Sequence, residues 1–230
     1  MTSVVSWGSL SGISIMKFTL TYEGELRSND DYRRKWEIRN RFHPQMQELW
    51  KINSALQGVL RNRYVPVGQG GWMSWETHHD EDNDNPMPMQ PPDESKYGKH
   101  RDLCEPIIKG GRKFMPLVRN SFALRCGLSI LFLRREPPGK VYQGGDIDNR
   151  LKTLFDALSV PNPEQIVDDR TVEDPIYCLL EDDSLISRID VDTRQLLSRP
   201  NGSKHDVHLV IEVDVRAINI RQYNQFFLGD

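Results

Sequence analysis

The stretch from Ser121 to Arg135 limits the possible folds of this chain more than any other. Polar and apolar residues alternate at its start, and a nearly continuous apolar run follows. A strand that is covered on both faces has such a run, because neither face is left to carry polar side chains. We therefore predict a β-strand in the centre of a sheet.

Three further stretches have the residue types of β-strands. β-Branched and aromatic residues fill 15–22, an apolar segment covers 185–191, and alternation runs through 207–215. A helix is predicted from about Pro44 to Arg61, and its buried side consists of Met46, Leu49, Ile52, Leu56 and Leu60. These elements predict an α+β fold, with a mixed sheet of about four strands and helices mainly on one face.

A second helix is predicted after the central strand, directly behind two glycines that end a loop. Apolar residues at helical spacing give it a buried face, made by Leu151, Leu154, Phe155 and Leu158. A different face carries Asp148, Lys152 and Asp156, each one turn apart. The helix begins near Asp146, where a negative charge is favourable, and ends before Pro161.

Length and composition indicate one globular domain with inserted segments. The chain has 230 residues, of which 37% are hydrophobic. No apolar run approaches the ~20 residues that span a bilayer, and the N-terminus lacks the pattern of a signal peptide. We predict a disordered lead over 1–14, an inserted surface excursion over 65–112 and an extended acidic connection over 160–178.

Cysteine usage points to a reducing compartment. Cys104, Cys126 and Cys178 stand far apart, so they form neither a zinc-type pair nor a disulfide framework. Reduced thiols are therefore expected, and with them a cytoplasmic protein that does not enter a membrane.

Carboxylates at two places of the chain suggest a metal site. Asp146 and Asp148 open the predicted second helix, and Asp182 and Asp183 precede a predicted strand. Hard cations such as Mg²⁺ prefer oxygen ligands, and a pair of cations ~4 Å apart can support hydrolysis of a phosphodiester. Lys152, one turn beyond Asp148, can neutralise charge on a phosphate.

Two motifs resemble the RusA family of Holliday junction resolvases. They are Asp146-x-Asp148-Asn149-x-x-Lys152-x-x-x-Asp156-Ala157-Leu158, and Leu180-x-Asp182-Asp183 with an apolar strand behind it. The resemblance is specific over about 128–191 and only topological over 16–61 and 207–215. It implies a small homodimeric endonuclease that uses Mg²⁺ (or Mn²⁺) to cut branched DNA, a reaction of DNA recombination and repair.

By position, the resemblance assigns roles to individual residues. Asp146, Asp148 and Asp183 are the implied metal ligands, and Lys152 is the implied catalytic lysine. Asp182 is either a further ligand or the partner of one.

The third acid has two candidates, because the connection behind the acidic helix is longer than that of the family. The nearer pair Asp168-Asp169 fits the family's short spacing better. Asp183 has the expected apolar lead-in and the strand behind it, and we prefer it. Asp156 is expected to anchor its helix to adjacent backbone.

Basic residues at six positions are candidates for contacts with nucleic-acid phosphates. They are Arg33, Arg34, Lys35, Arg134, Arg135 and Lys140. For the first three the alternative is a solvated helix face. The net charge of −3 does not by itself indicate nucleic-acid binding.

Three functions follow as hypotheses. The first is a metal-dependent, structure-selective DNA endonuclease, to which the resemblance points. The second is a catalytically weak module that keeps the fold and binds nucleic acid or protein. The third is a metal-dependent hydrolase of another phosphate ester. An intact acid set with Lys152 favours an enzyme over a binding module.

Overall fold

The computed structural model describes residues 4–7, 12–62, 64–67, 71–74, 77–80, 83–88, 95, 101–135, 146–169, 171–197 and 202–228. Its strands in chain order are β1 Val4–Trp7, β2 Ile13–Glu25, β3 Tyr64–Val67, β4 Gly71–Ser74, β5 Thr77–Asp80, β6 Asn83–Pro88, β7 Ile107–Lys109, β8 Arg112–Val118, β9 Leu124–Arg134, β10 Ile176–Leu180, β11 Ile186–Gln195 and β12 Asp206–Ala217. The helices are α1 Tyr32–Ile52, α2 Ser54–Asn62 and α3 Asp146–Leu158. None of these helices is long and apolar enough to cross a membrane.

The main sheet has the strand order β1-β11-β9-β12-β2, so β9 lies in the middle as predicted. β9 and β11 are parallel, and the other neighbours are antiparallel. Alternate residues of β12, from Val207 to Val215, are buried in the core that α1 and α3 share with the sheet, whereas Glu212 between them is exposed. The predicted α+β fold with a mixed sheet is confirmed.

A second, three-stranded sheet has the order β10-β8-β7 and was not predicted. β8 and β10 are parallel, and β7 and β8 form a hairpin. Two separate hairpins, β3 with β4 and β5 with β6, lie in the first half of the predicted excursion.

Helix α1 begins well before the predicted start at Pro44. The Asp31 carboxylate accepts a hydrogen bond from the Arg34 backbone N–H at 2.9 Å and caps the helix at Tyr32. Pro44 lies inside the helix on an exposed position. Arg33, Arg34 and Lys35, which precede the predicted start of the helix, therefore lie in its first turn.

Asn53 divides the predicted helix in two. It ends α1, and its side-chain oxygen accepts from the Leu56 N–H at 3.1 Å, which caps α2. Met46 and Leu56 are buried as predicted, but Ile52 at the break is 70% exposed. The expected continuous apolar face thus fails at the residue where the helix stops.

Three predicted segment boundaries are corrected. Val4–Trp7 pairs with β11, so the lead over 1–14 contains a strand, and Ile13 opens β2. Leu103 is fully buried and Ile107 opens β7, so the end of the predicted excursion belongs to the body. The last residues of the predicted acidic connection, from Ile176, form β10.

Arg39 on α1 holds the end of α3. Its side chain is 2% exposed, and its Nε and Nη2 donate to the Ser159 carbonyl at 3.1 and 3.0 Å. Nη2 also donates to the Asp156 carbonyl at 2.7 Å. The last carbonyls of a helix lack hydrogen-bond donors within the helix and carry partial negative charge. The guanidinium supplies both the missing donors and a positive charge.

We predict that Arg39→Met lowers the free energy of unfolding by about 2–4 kcal/mol, because two buried carbonyls lose their donors. Urea denaturation measures this change. Arg41→Met, an exposed arginine of the same helix, is the control and should change stability by less than about 0.5 kcal/mol. Equal effects of both substitutions would contradict the role of Arg39.

His43 gives the fold a dependence on pH. Its Nδ1 accepts a hydrogen bond from the Tyr177 backbone N–H at 3.0 Å, and its ring stacks on that of Tyr177. Burial lowers the pKa of His43 below its usual 6.5. The neutral ring therefore stabilises the fold above about pH 6.5, and this contribution is lost as the pH falls through the lowered folded-state pKa.

We predict that His43→Gln reduces the loss of stability between about pH 7.5 and about pH 5.5, because glutamine can accept from Tyr177 without titrating in this range. Urea denaturation at both pH values gives the comparison. His208→Gln on β12 controls for the loss of any histidine. An unchanged pH dependence in His43→Gln would show that His43 does not set it.

Candidate metal and phosphate site

Helix α3 is enclosed except along one narrow stripe. Among its residues 147–158, only Asp148 and Lys152 are exposed. Ile147, Leu151, Leu154 and Leu158 face the core as the sequence predicted for three of them, and Phe155 is partly buried. An acid and a lysine one turn apart are therefore the most accessible residues among 147–158 of α3.

Asp146 is the first residue of α3, and its side chain lies outside the described residues. Asp148 follows in the first turn of the helix. The helix dipole favours carboxylates at this end, and it equally favours a phosphate.

The acid pair Asp182-Asp183 follows β10 at a 3₁₀ turn, Asp183–Leu185, which contacts α3 and β9. The Asp182 carboxylate caps this turn by accepting from the Ser184 N–H at 3.0 Å, and hydrogen bonds from the Ser184 side chain and from this N–H lower the pKa of Asp182. Asp183 is exposed, and its carboxylate makes no hydrogen bond or ion pair to another described residue, although its backbone carbonyl accepts from the Ile186 N–H. Asp183 is therefore the more available ligand of the two.

Asp169, the alternative third acid, is occupied by the protein. Its carboxylate accepts from Thr171 Oγ1 at 2.5 Å and from the Thr171 N–H at 3.0 Å, and these bonds lower its pKa. It also accepts from Trp36 Nε1 at 3.3 Å. These contacts tie the connection behind α3 to α1, so Asp169 has a structural use.

The carboxylate oxygens at the start of α3 and at the 3₁₀ turn are ligands of the kind that a hard cation such as Mg²⁺ prefers. No three described His, Cys, Asp or Glu side chains are grouped to hold a metal ion, so Asp148, Asp182 and Asp183 do not form such a group by themselves. Mg²⁺ is commonly held by one or two carboxylates, with waters and substrate phosphate completing the shell. A cation here therefore depends on Asp146 together with Asp148.

Most of the predicted phosphate-binding cations are engaged within the protein. Arg134 is 2% exposed, so its guanidinium does not reach the surface. Arg34 pairs with Glu37, Lys35 with Asp156 and Arg135 with Asp206. Arg33 is exposed and pairs with no described carboxylate, and Lys140 lies outside the described residues.

The sequence missed the residues that hold α3 and its neighbours in place. Asp156 anchors α3 as expected, but through the Lys35 side chain rather than through backbone. Arg39 is not among the residues to which the sequence assigned a role. Arg112 was placed in the excursion, yet it donates to the carbonyls of Asp169 and Val172 at 2.7 and 2.6 Å. Spacing along one helix gives no signal for such contacts between distant segments.

The cysteines are free thiols, as predicted. Burial raises the pKa of Cys178 to about 11 and that of Cys126 to about 12. Neither thiol is therefore a nucleophile near neutral pH.

Comparisons with protein-family models, with curated proteins and with solved structures found no match for this chain.

We predict that Asp169→Ala lowers the free energy of unfolding by about 0.5–1.5 kcal/mol, because the Thr171 donors lose their acceptor. Any phosphodiesterase activity should stay within about twofold of the parent rate. Urea denaturation and a cleavage assay measure the two quantities. Glu164→Ala, an exposed acid of the same connection, is the control. A folded Asp169→Ala protein without activity would identify Asp169 as the third acid.

Proposed function

We propose that this protein is a metal-dependent endonuclease that hydrolyses phosphodiesters at branched DNA, in the manner of the RusA-type junction resolvases that its motifs resemble. The observation that carries the proposal is the exposed Asp148–Lys152 stripe on an otherwise enclosed helix. Phosphate chemistry uses an acid and a lysine together, and these are the two exposed residues among 147–158 of α3.

The chain's own residues would divide the work as follows. Asp146 and Asp148 hold the cation, Asp183 completes the set, and Asp182 orients its neighbour through the capped turn. Lys152 contacts the scissile phosphate and balances the charge that grows on it. A bound Mg²⁺ or Mn²⁺ supplies a Lewis acid and lowers the pKa of the attacking water.

A homodimer is part of the proposal, because a four-way junction presents two equivalent strands and is cut in pairs. Two copies related by a twofold axis would present two such stripes to one junction.

A second candidate is a metal-dependent hydrolase of another phosphate ester. The ion pairs of Arg34, Lys35 and Arg135 favour it, because they leave Arg33 as the one exposed cation, among the described members of the six predicted phosphate contacts, that pairs with no described carboxylate. The net charge of −3 points the same way. This candidate keeps the same acids and Lys152 and changes only the substrate.

We predict that Asp148→Asn lowers the rate of metal-dependent cleavage by more than about 100-fold. The reason is that substitution of a residue that only orients a metal ligand already lowers metal affinity or activity by about 10–100-fold. The assay uses labelled junction, flap and duplex DNA and a small aryl phosphodiester, each with Mg²⁺ or Mn²⁺. Glu48→Gln, an exposed acid on α1, is the control and should keep the parent rate.

The outcomes separate the candidate functions. Cleavage of junctions supports the resolvase, and cleavage of the aryl ester alone supports the second candidate. DNA binding by a protein that cleaves none of the substrates indicates a catalytically weak binding module. Activity that survives Asp148→Asn unchanged removes this site from the mechanism.

A further inference from the structure

Lys152 lies between two acids of its own helix. Asp148 is one turn before it and Asp156 one turn after it, so both carboxylates are within reach of its ammonium. The order acid-then-lysine is the better one on a helix, but the reverse pair also forms. The cation that pairs with the Asp156 carboxylate therefore decides whether Lys152 stays available beside Asp148.

The structure gives Asp156 a different partner. Lys35 Nζ lies 2.7 Å from Asp156 Oδ2, and the two side chains are only 18% and 25% exposed. Arg39 is close by, but its hydrogen bonds in this region end on the backbone carbonyls of Asp156 and Ser159. Lys35 is thus the cation that holds the Asp156 carboxylate, and α1 supplies it to α3.

Lys152 is left without an acid. It is exposed, and it forms no ion pair with any described residue. It lies one turn from Asp148 on the exposed side of α3, where a bound solute can reach it.

We propose that Lys35 is a positioning residue for Lys152: by holding the Asp156 carboxylate, it prevents the pairing of Lys152 with Asp156 and keeps Lys152 available to a phosphate at Asp148. The role of Lys152 towards phosphate rests on the proposed function. The competition of Lys35 and Lys152 for the Asp156 carboxylate does not rest on the proposed function. Lys35, which the sequence suggested as a contact to nucleic acid, then acts on the substrate only through Lys152.

The test compares Lys35→Met, Asp156→Asn and the double variant. If Lys35 acts by competition, Lys35→Met frees Asp156 to capture Lys152 and lowers kcat about two- to fivefold, the range of a surface ion pair. Asp156→Asn alone should keep the parent kcat, and it should restore kcat in the double variant. Lys35→Arg keeps the ion pair and should also keep kcat.

A different pattern is expected if the Lys35–Asp156 ion pair only joins α1 to α3. Lys35→Met, Asp156→Asn and the double variant all remove this ion pair, so all three would lose kcat to the same extent. This result, or an unchanged kcat in Lys35→Met, overturns the proposal. Thermal unfolding of each variant verifies that the compared proteins are folded.

A second measurement does not depend on activity. The rate of acetylation of Lys152 by an amine-reactive ester, followed by peptide mass spectrometry, should fall about two- to fivefold in Lys35→Met and recover in the double variant. Lys51→Met, which removes an exposed lysine of α1, is the matched control and should leave the rate unchanged.

The two readouts separate this inference from the proposed function. A protein that cleaves no phosphodiester refutes the function, while the acetylation rates still decide whether Lys35 and Lys152 compete for Asp156. The opposite result is also possible to recognise. If metal-dependent cleavage requires Asp148 but Lys35→Met does not change the rate of Lys152 acetylation, the function is upheld and the inference is refuted.

Discussion

The contact between Arg39 and the end of α3 is the interaction on which the rest of the structure depends. A buried guanidinium is costly unless its donors are bonded, and here two of its nitrogens bond the carbonyls of Asp156 and Ser159. These hydrogen bonds offset the cost of burying the guanidinium, and they also give the two carbonyls their donors. α3 can therefore neither slide nor turn about its axis without leaving polar groups unsatisfied, and the stripe that carries Asp148 and Lys152 is fixed with it.

The same arginine links α3 to the second sheet through Trp36. The guanidinium carbons of Arg39 and Arg112 lie 5.7 and 5.6 Å from the centre of its ring, and its edge packs against Phe114. Arg112 in turn binds Asp174 and two carbonyls of the connection behind α3. A long connection is thus held at several points, which explains how the chain inserts it without loosening the helix before it.

Local patterns in the sequence predicted the central strand, α3 and the last strand, because each is encoded by its own periodicity. The start of α1 escaped prediction, since its first turns are basic and its apolar face begins only at Trp36. The burial of Arg39 and Arg134 could not be foreseen, because arginine is normally exposed and only distant segments can bury it. The acids and lysine of the stripe were recognised by type and spacing, whereas the partner of Asp156 depends on how α1 meets α3.

Charge at the stripe constrains its chemistry further. With Asp156 neutralised by Lys35 and Arg150 buried, the proposed site carries three carboxylates, Asp146, Asp148 and Asp183, against one ammonium, Lys152, which leaves a charge of −2 (+1 − 3). A phosphodiester is itself an anion and is repelled by such a site. A divalent cation brings this sum to zero, and the helix N-terminus then attracts the phosphate. The proposed phosphate chemistry therefore depends on a bound metal ion, and the ion pairs of Arg34, Lys35 and Arg135 make that dependence stronger.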